Sequence, residues 1–166
     1  MSLSKRPKKE NRKIHSRDDF QSLAYSILQL ANRVILRSDF QQEVCQRILD
    51  FSGADEVELW LKDHGKYFRS VVKRHPERNF LFEIRSSAQN EDGEIIPEPE
   101  DDPDYIGLCN SILRGQVESS RSMLFESDHN PSLLLIPLSV NQKRIGLLHL
   151  KSNLKNYFWF FRVFNG

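Results

Sequence analysis

The spacing of apolar residues changes once along the chain, and this change constrains the fold more than any other feature. Between residues 20 and 49, apolar residues recur three and four positions apart, which predicts two amphipathic helices. From residue 57 the spacing becomes two: Val57, Leu59 and Leu61 alternate with polar residues and Trp60. That alternation is typical of a half-buried strand. The chain is therefore expected to combine helices with a sheet.

Capping residues predict where the helices begin and end. Ser38 with Gln41 fits a capping box at the start of the second helix, and Gly53 is placed to end that helix. Farther along, Asp102 is suited to cap a third, short helix, and Pro103 is suited to its first turn. These signals predict two long helices before the strands and one short helix among them.

The remaining apolar runs predict a mainly antiparallel sheet. Extended segments are expected at 57–62, 67–74, 80–87 and 120–126, and in a hairpin at 132–152. Short turns join most of them, and strands joined by tight turns are antiparallel. We therefore expect an α+β fold with a central sheet of about five to six strands and helices packed on both sides.

Length and charge indicate one domain with atypical ends. The chain has 166 residues, of which 39% are apolar and 28% charged. Its net charge of +1 is too small to create an overall positive potential that would attract nucleic acid. Residues 1–16 are expected to be a disordered basic tail or linker, with an arm that binds nucleic acid or an anionic membrane as the alternative. The domain proper is expected at 17–153, followed by an aromatic tail at 154–166. No apolar run is long enough to predict a membrane-spanning helix.

Motifs of catalysis and metal binding are not evident in the sequence. It contains no GxGxxG, P-loop, GxSxG or HExxH pattern, and its two cysteines, Cys45 and Cys109, form no CxxC. His149 lies in an apolar strand and is expected to be a satisfied core histidine. The segment 91–104 contains eight acidic residues without the spacing of a calcium loop, and predicts a solvated, mobile loop. The protein is expected not to be an enzyme, with a redox enzyme using Cys109 as a remaining alternative.

Three segments together resemble the GAF domain, a small-molecule sensor module of phosphodiesterases, phytochromes and bacterial signalling proteins. They are "LANRVILRSDFQQEVCQRILDFSGADEVELWLKD" at 30–63, "GLCNSILRGQ" at 107–116 and "LLLIPLSVNQKRIGLLHLKS" at 133–152. The resemblance implies that Pro137 lies at a bulge or a locally free edge of its strand. It also implies that Gly146 lets a neighbouring backbone or side chain approach closely.

The resemblance further implies a non-catalytic sensory or regulatory domain, expected in a bacterial two-component sensor kinase or a related cytoplasmic signalling protein. A small ligand is expected between one sheet face and the helix at 105–113. The residues expected to line its site are Trp60, Phe68, Phe82, Tyr105, Cys109 and Ile112. A homodimer is expected through the first helix. No bilin, haem or metal motif is evident, and the cyclic-nucleotide pattern of the family is not evident either. A ligand-free interaction or dimerisation module is the alternative.

Overall fold

The computed structural model describes residues 17–86, 88–115, 123–125, 132–155 and 157–158. The chain divides into two units after Val34. The first unit contains helix α1 (Arg17–Ala31). The second unit begins at Ile35 and contains the sheet and the other helices, so the candidate site described below lies within it.

Six strands of the second unit form one antiparallel sheet, which confirms the predicted α+β fold. Its elements are α2 (Arg37–Ser52), β1 (Glu56–Asp63), β2 (Lys66–His75), β3 (Asn79–Ser86), α3 (Pro103–Leu113), β4 (Met123–Phe125), β5 (Ser132–Val140) and β6 (Lys143–Ser152). The strand order is β3-β2-β1-β6-β5-β4, and neighbouring strands are antiparallel. Helix α2 packs against β1 and β2, whereas α3 packs against β6.

Helix ends match the sequence signals at three of four places. Gly53 ends α2 in the left-handed conformation, with φ of 66°. Asp102 caps α3 by accepting a hydrogen bond from the Asp104 backbone N–H at 3.0 Å, and Pro103 occupies the first turn. The predicted capping box at Ser38 is wrong, because α2 already begins at Arg37 after an N-cap residue without a side-chain hydrogen bond.

A tight turn sets the register of the hairpin formed by β1 and β2. His64 and Gly65 connect β1 to β2 with φ of 48° and 81°. Two successive positive φ angles are the signature of a type I′ turn, whose twist matches that of the strands. This turn opposes Asp63 to Lys66 and, two residues back, Leu61 to Phe68. Directly opposed residues share a face of the sheet, so the turn decides which side chains meet.

The sheet separates two buried clusters. The α2 face is the cluster beside α2, formed by Cys45, Leu49, Ala54, Val57, Leu59, Val72, Leu134, Leu148, Leu150 and Phe158. The α3 face is the cluster beside α3, formed by Trp60, Tyr67, Ile95, Tyr105, Ile106, Cys109, Ile112, Leu113, Leu133, Leu135 and Leu147. The alternation along β1 therefore divides as expected, with Trp60 facing away from Val57 and Leu59.

Gly146 occupies the close-packed position expected for it, and Pro137 lies near an irregularity of its strand. Pro137 pairs with Leu147 of β6, and the three described residues of β4 pair only with Leu133–Leu135. The register of β5 shifts one residue later, between Leu138 and Ser139. A Cβ atom at Gly146 would collide with the backbone carbonyl oxygen of Trp60 on β1. The hairpin thus tolerates proline at an irregular strand segment and requires glycine where two backbones meet.

The described end of the chain contributes to the core. Phe158 is buried on the α2 face, and the Tyr157 hydroxyl donates to the Ser52 carbonyl oxygen at 3.0 Å. The rest of the predicted aromatic tail, and the predicted basic tail at 1–16, lie outside the described residues. Within the described part of the chain, no helix is long and apolar enough to cross a membrane.

Candidate functional site

Four of the six predicted ligand-binding residues lie together. Trp60 on β1 joins Tyr105, Cys109 and Ile112 of α3 on the α3 face, and all four are buried. These four residues meet because of the side-chain periods of a strand and a helix. Every second residue of β1 faces α3, and residues spaced three and four apart on α3 form one apolar side that faces the sheet.

Phe68 and Phe82 lie on the other side of the sheet, so the prediction that all six share one site is wrong for these two. Phe68 opposes Leu61, and Phe82 opposes Val72. Leu61 and Phe82 pack against the α2 face, of which Val72 is a member. Both phenylalanines are large and apolar, but the strand register decides which face of the sheet a side chain occupies.

A buried carboxylate lies at the centre of the α3 face. Oε1 of Glu58 accepts hydrogen bonds from Trp60 Nε1 at 2.7 Å and from Arg69 Nε at 2.6 Å. Its Oε2 accepts from Lys151 Nζ at 2.9 Å. The Glu58 side chain is only 1% exposed. A carboxylate this deep is stable only because both oxygens receive charged donors.

Arg69 joins this carboxylate to the acidic loop. Its Nη1 and Nη2 donate to Oδ2 and Oδ1 of Asp101 at 3.0 and 3.1 Å, a bidentate pair. Its guanidinium carbon lies 5.2 Å from the centre of the Trp60 ring. Every nitrogen of the guanidinium therefore has an acceptor, and the side chain is 3% exposed.

Charge pairing keeps these groups ionised despite burial. Burial by itself raises the pKa of Glu58, but Lys151 and Arg69 outweigh it and hold that pKa below its ordinary value. Burial lowers the pKa of Arg69, while its hydrogen bonds to Asp101 and its pairing with Glu58 raise it by more. The α3 face thus contains alternating negative and positive groups at neutral pH.

His149 of β6 lies directly opposite Glu58 and is buried. Its Nδ1 is hydrogen-bonded to the Tyr105 hydroxyl, and its ring centre lies 4.8 Å from that of Trp60. Its Nε2 is buried and has no hydrogen-bond partner among the described residues. Burial lowers the pKa of the imidazole to about 3, so the ring is neutral at pH 7. The prediction of a satisfied core histidine is correct for one nitrogen and wrong for the other.

The acidic loop between β3 and α3 is anchored, contrary to the prediction that it is solvated and mobile. Ile95 is buried, and its backbone N–H and C=O both bond to the Asn110 side chain of α3 at 3.0 Å. Glu94 pairs with Arg114 at 2.5 Å. Together with the Asp101 contact, these bonds attach the loop to α3 and to the sheet. The described residues contain no group of three or more acidic, His or Cys side chains that could hold a metal ion.

The two cysteines are buried on opposite faces, Cys45 beside α2 and Cys109 beside α3. Burial raises the pKa of each thiol to about 12. At this pKa neither side chain supplies an appreciable fraction of thiolate, the reactive form, at neutral pH.

Sequence reasoning missed most of the charged site. The sequence patterns do not single out Glu58, Arg69, Asp101 or Lys151, although one signal points to the first of them: Glu58 and Trp60 are two apart and therefore share a face of β1. That signal places one carboxylate beside a buried aromatic ring. The other three residues come from β2, β6 and the loop, and they follow Glu58 by 11, 93 and 43 residues in sequence. Only the tertiary fold brings them to the same place.

Comparisons with known proteins identify the fold. No family model matches the chain, and no curated protein matches it. Among solved structures, the GAF domain of Acinetobacter phosphoenolpyruvate-protein phosphotransferase is similar, with a TM-score of 0.52, 14% identity, and coverage of 90% of this chain and 89% of that one.

Two further solved structures are similar at lower scores. The A. aeolicus nlh2 GAF domain in an inactive state has a TM-score of 0.48 and 6% identity, with coverage of 87% and 88%. Free methionine-R-sulfoxide reductase from Neisseria meningitidis, in complex with its substrate, has a TM-score of 0.45 and 13% identity, with coverage of 91% and 89%. Likeness at these identities concerns the fold alone, and on that ground the chain has a GAF-like fold.

Proposed function

We propose that the protein is a non-catalytic sensory or regulatory domain that binds a small ligand on its α3 face. The observation that carries the proposal is the buried network of Glu58, Arg69, Asp101 and Lys151 on that face. Removing such charges from water is expensive, and apolar residues of similar volume are often as stabilising or more so. Buried charged groups that do not increase stability are found most often at functional sites.

The position of the network suggests how binding is transmitted. Hydrogen bonds between Ile95 and Asn110 join the acidic loop to α3, and the ion pair of Asp101 with Arg69 joins the loop to the sheet. A ligand that entered this face would shift the balance between the fastened state and an opened one. Movement of α3 is then the signal passed to an attached output, which we place in a bacterial cytoplasmic signalling protein.

Dimerisation through α1 is the second part of the proposal. The apolar residues of α1 recur at helical spacing, as is typical of a helix that packs against a partner helix. Size-exclusion chromatography with light scattering on the full chain is expected to give a dimer. A monomer at every concentration tested would contradict this part and leave the ligand proposal unaffected.

One observation favours the alternative of a ligand-free interaction module. Trp60, Tyr105 and Ile112 are large, buried side chains that fill much of the space between α3 and the sheet. A redox enzyme using Cys109 is disfavoured, because burial raises the pKa of that thiol to about 12.

Native mass spectrometry of the purified full chain, with denaturing mass spectrometry alongside, tests the ligand proposal. A non-covalent mass excess is expected in the native spectrum only. Ile112→Ala on the α3 face is expected to reduce that excess, whereas the matched core variant Leu49→Ala on the α2 face is expected to retain it. If the native protein has no excess mass and no metabolite in a library raises its melting temperature, the interaction module is the better account.

A further inference from the structure

Asp101 is bound to Arg69 in the way that proteins bind a carboxylate ligand. The two terminal nitrogens of the guanidinium donate to the two carboxylate oxygens at 3.0 and 3.1 Å, in parallel. This fork geometry is the reason that arginine is used to recognise carboxylates. The other carboxylate on Arg69, that of Glu58, comes from the neighbouring strand and bonds only to Nε.

The two carboxylates differ in how firmly they are placed. Glu58 is 1% exposed and is fixed by three donors from β1, β2 and β6. Asp101 is 12% exposed and belongs to the loop, where its side chain also accepts from the Glu98 backbone N–H. Glu58 is therefore part of the sheet, whereas Asp101 reaches Arg69 from a segment that can move without breaking a strand.

A second, independent polar group faces the same aromatic ring. The His149 ring centre lies 4.8 Å from that of Trp60, and the Arg69 guanidinium carbon lies 5.2 Å from it. Nε2 of His149 is buried and lacks a partner among the described residues. A buried imidazole nitrogen left in this state is destabilising, and a ligand atom that bonds to it would remove the penalty.

We propose that the ligand of the α3 face is a small carboxylate that replaces Asp101 on Arg69, and that Asp101 is an internal competitor for this position. The inference rests on the proposed function. The buried guanidinium is paired with a carboxylate both before and after the exchange, so the equilibrium does not include the main penalty of breaking a buried ion pair. The displaced Asp101 side chain gains solvent, and the loop loses this attachment to the sheet.

Titrations of the full chain with acetate, glutarate and benzoate test this inference, with the neutral diamide glutaramide as the probe without a carboxylate. The readout is the Trp60 indole N–H resonance, because that N–H donates to Glu58, which shares Arg69. At least one of the three carboxylates is expected to shift this resonance. Glutaramide is expected to leave it unchanged.

The variant Asp101→Asn removes the internal competitor while keeping its size. The apparent Kd of the wild type equals the intrinsic Kd divided by the fraction of molecules in which Arg69 is free of Asp101, so with that fraction at about a tenth or less the Kd is expected to fall about tenfold or more in the variant. The matched control Glu94→Gln breaks the other ion pair of the same loop, with Arg114, and is expected to leave the Kd unchanged. Arg69→Lys keeps the charge but removes the fork, and is expected to abolish binding.

Equal affinities of the wild type and Asp101→Asn would overturn the inference, as would an equal response to glutaramide or no response to any carboxylate in either protein. If Asp101→Asn fails to fold, hydrogen exchange of the wild type replaces it: a carboxylate must accelerate exchange of the 98–102 amides but not of α2, and unchanged exchange would reject the inference. A non-covalent mass excess combined with no carboxylate response would reject this inference and retain the proposed function.

Discussion

The two faces of the sheet use the same strands for different chemistry. The buried cluster of the α2 face is apolar, and among the polar groups beside it the Ser70 hydroxyl donates a hydrogen bond to the Gln41 side chain at 3.2 Å. On the α3 face, Glu58, Arg69 and His149 are buried among aromatic rings. The α2 face is an apolar core of the kind that stabilises a fold, whereas the α3 face retains buried charges that stability alone does not require.

The difference teaches how a small domain can separate an apolar core from a buried charged network. Because side chains alternate along a strand, β1 contributes Val57 and Leu59 to one face and Glu58 and Trp60 to the other. Substitutions of strand residues that point toward α3 therefore alter the α3 face without altering the side chains that pack against α2. The predictions below break or sharpen this separation, from the largest expected effect to the smallest.

Gly146→Val is expected to damage both faces, because it acts on the sheet between them. The new Cβ would collide with the Trp60 carbonyl oxygen, and a backbone atom cannot swing away. We expect a loss of unfolding free energy of about 4 kcal/mol or more, measured by urea denaturation. Gly107→Ala in α3 is the control, because its Cβ meets nothing within 4 Å and is expected to be neutral or mildly stabilising. Equal stability of Gly146→Val and the wild type would refute the close approach.

Glu58→Ala is expected to damage only the α3 face. It leaves Arg69 and Lys151 buried beside each other without their shared carboxylate, which costs about 3–5 kcal/mol in comparable buried pairs. Near-ultraviolet circular dichroism reports on aromatic packing, including that of Trp60 and Tyr105 on this face, and chemical denaturation gives the free energy. A loss below about 1 kcal/mol would mean that the network is open to water and the contrast between the faces is smaller than described.

Acid is expected to destabilise the α3 face in two stages. The folded pKa of His149, about 3, lies below the ordinary value of 6.5, so stability is complete above pH 6.5 and falls as pH decreases toward 3. The slope is about 1.4 kcal/mol per pH unit for one proton. Glu58, whose folded pKa lies below 4.5, adds a second loss below pH 4.5.

Urea denaturation at pH 7.5, 5.5 and 4.0 measures this dependence. The variant His149→Gln is expected to flatten the curve between pH 7.5 and 5.5, since glutamine does not titrate, and to retain the loss below pH 4.5. A wild-type free energy that is constant from pH 7.5 to 5.5 would show that His149 is not buried in its neutral form.

Glu43→Gln is expected to have the smallest effect. Glu43 pairs with Arg47 one turn later on the exposed side of α2, at 3.7 Å, and half of its side chain is exposed. Exposed pairs of this kind contribute about 0.3–0.5 kcal/mol. Comparison of its free energy of unfolding with that of Glu58→Ala separates the effect of burial from that of charge, and similar losses in the two variants would contradict the distinction.

Much of the fold followed from the sequence because its signals are local. Gly53, Asp102 and Pro103 mark helix ends, and alternation along β1 places Trp60 on its correct face. The error at Phe68 was avoidable in principle, since a two-residue turn at His64 and Gly65 fixes Leu61 opposite Phe68. Without that register, the size of Phe68 does not tell which face of the sheet it occupies.

The charged site could not be predicted in the same way. Arg69 and Asp101 are 32 residues apart, and their contact depends on the path of a loop without regular structure. The acidic composition of that loop indicated solvent exposure, but the buried Ile95 and its bonds to Asn110 depend on tertiary packing of α3. Local patterns therefore predicted the layers and not the polar contacts between them.

The relative labelling rates of Cys109 and Cys45 test the central claim most directly. Both thiols are buried, one on each face, and burial raises the pKa of both to about 12, so neither reacts appreciably until its surroundings open. If the α3 face opens locally to admit a ligand, native-state labelling of Cys109 should be about tenfold faster than that of Cys45. Equal rates, both limited by global unfolding, would contradict the account.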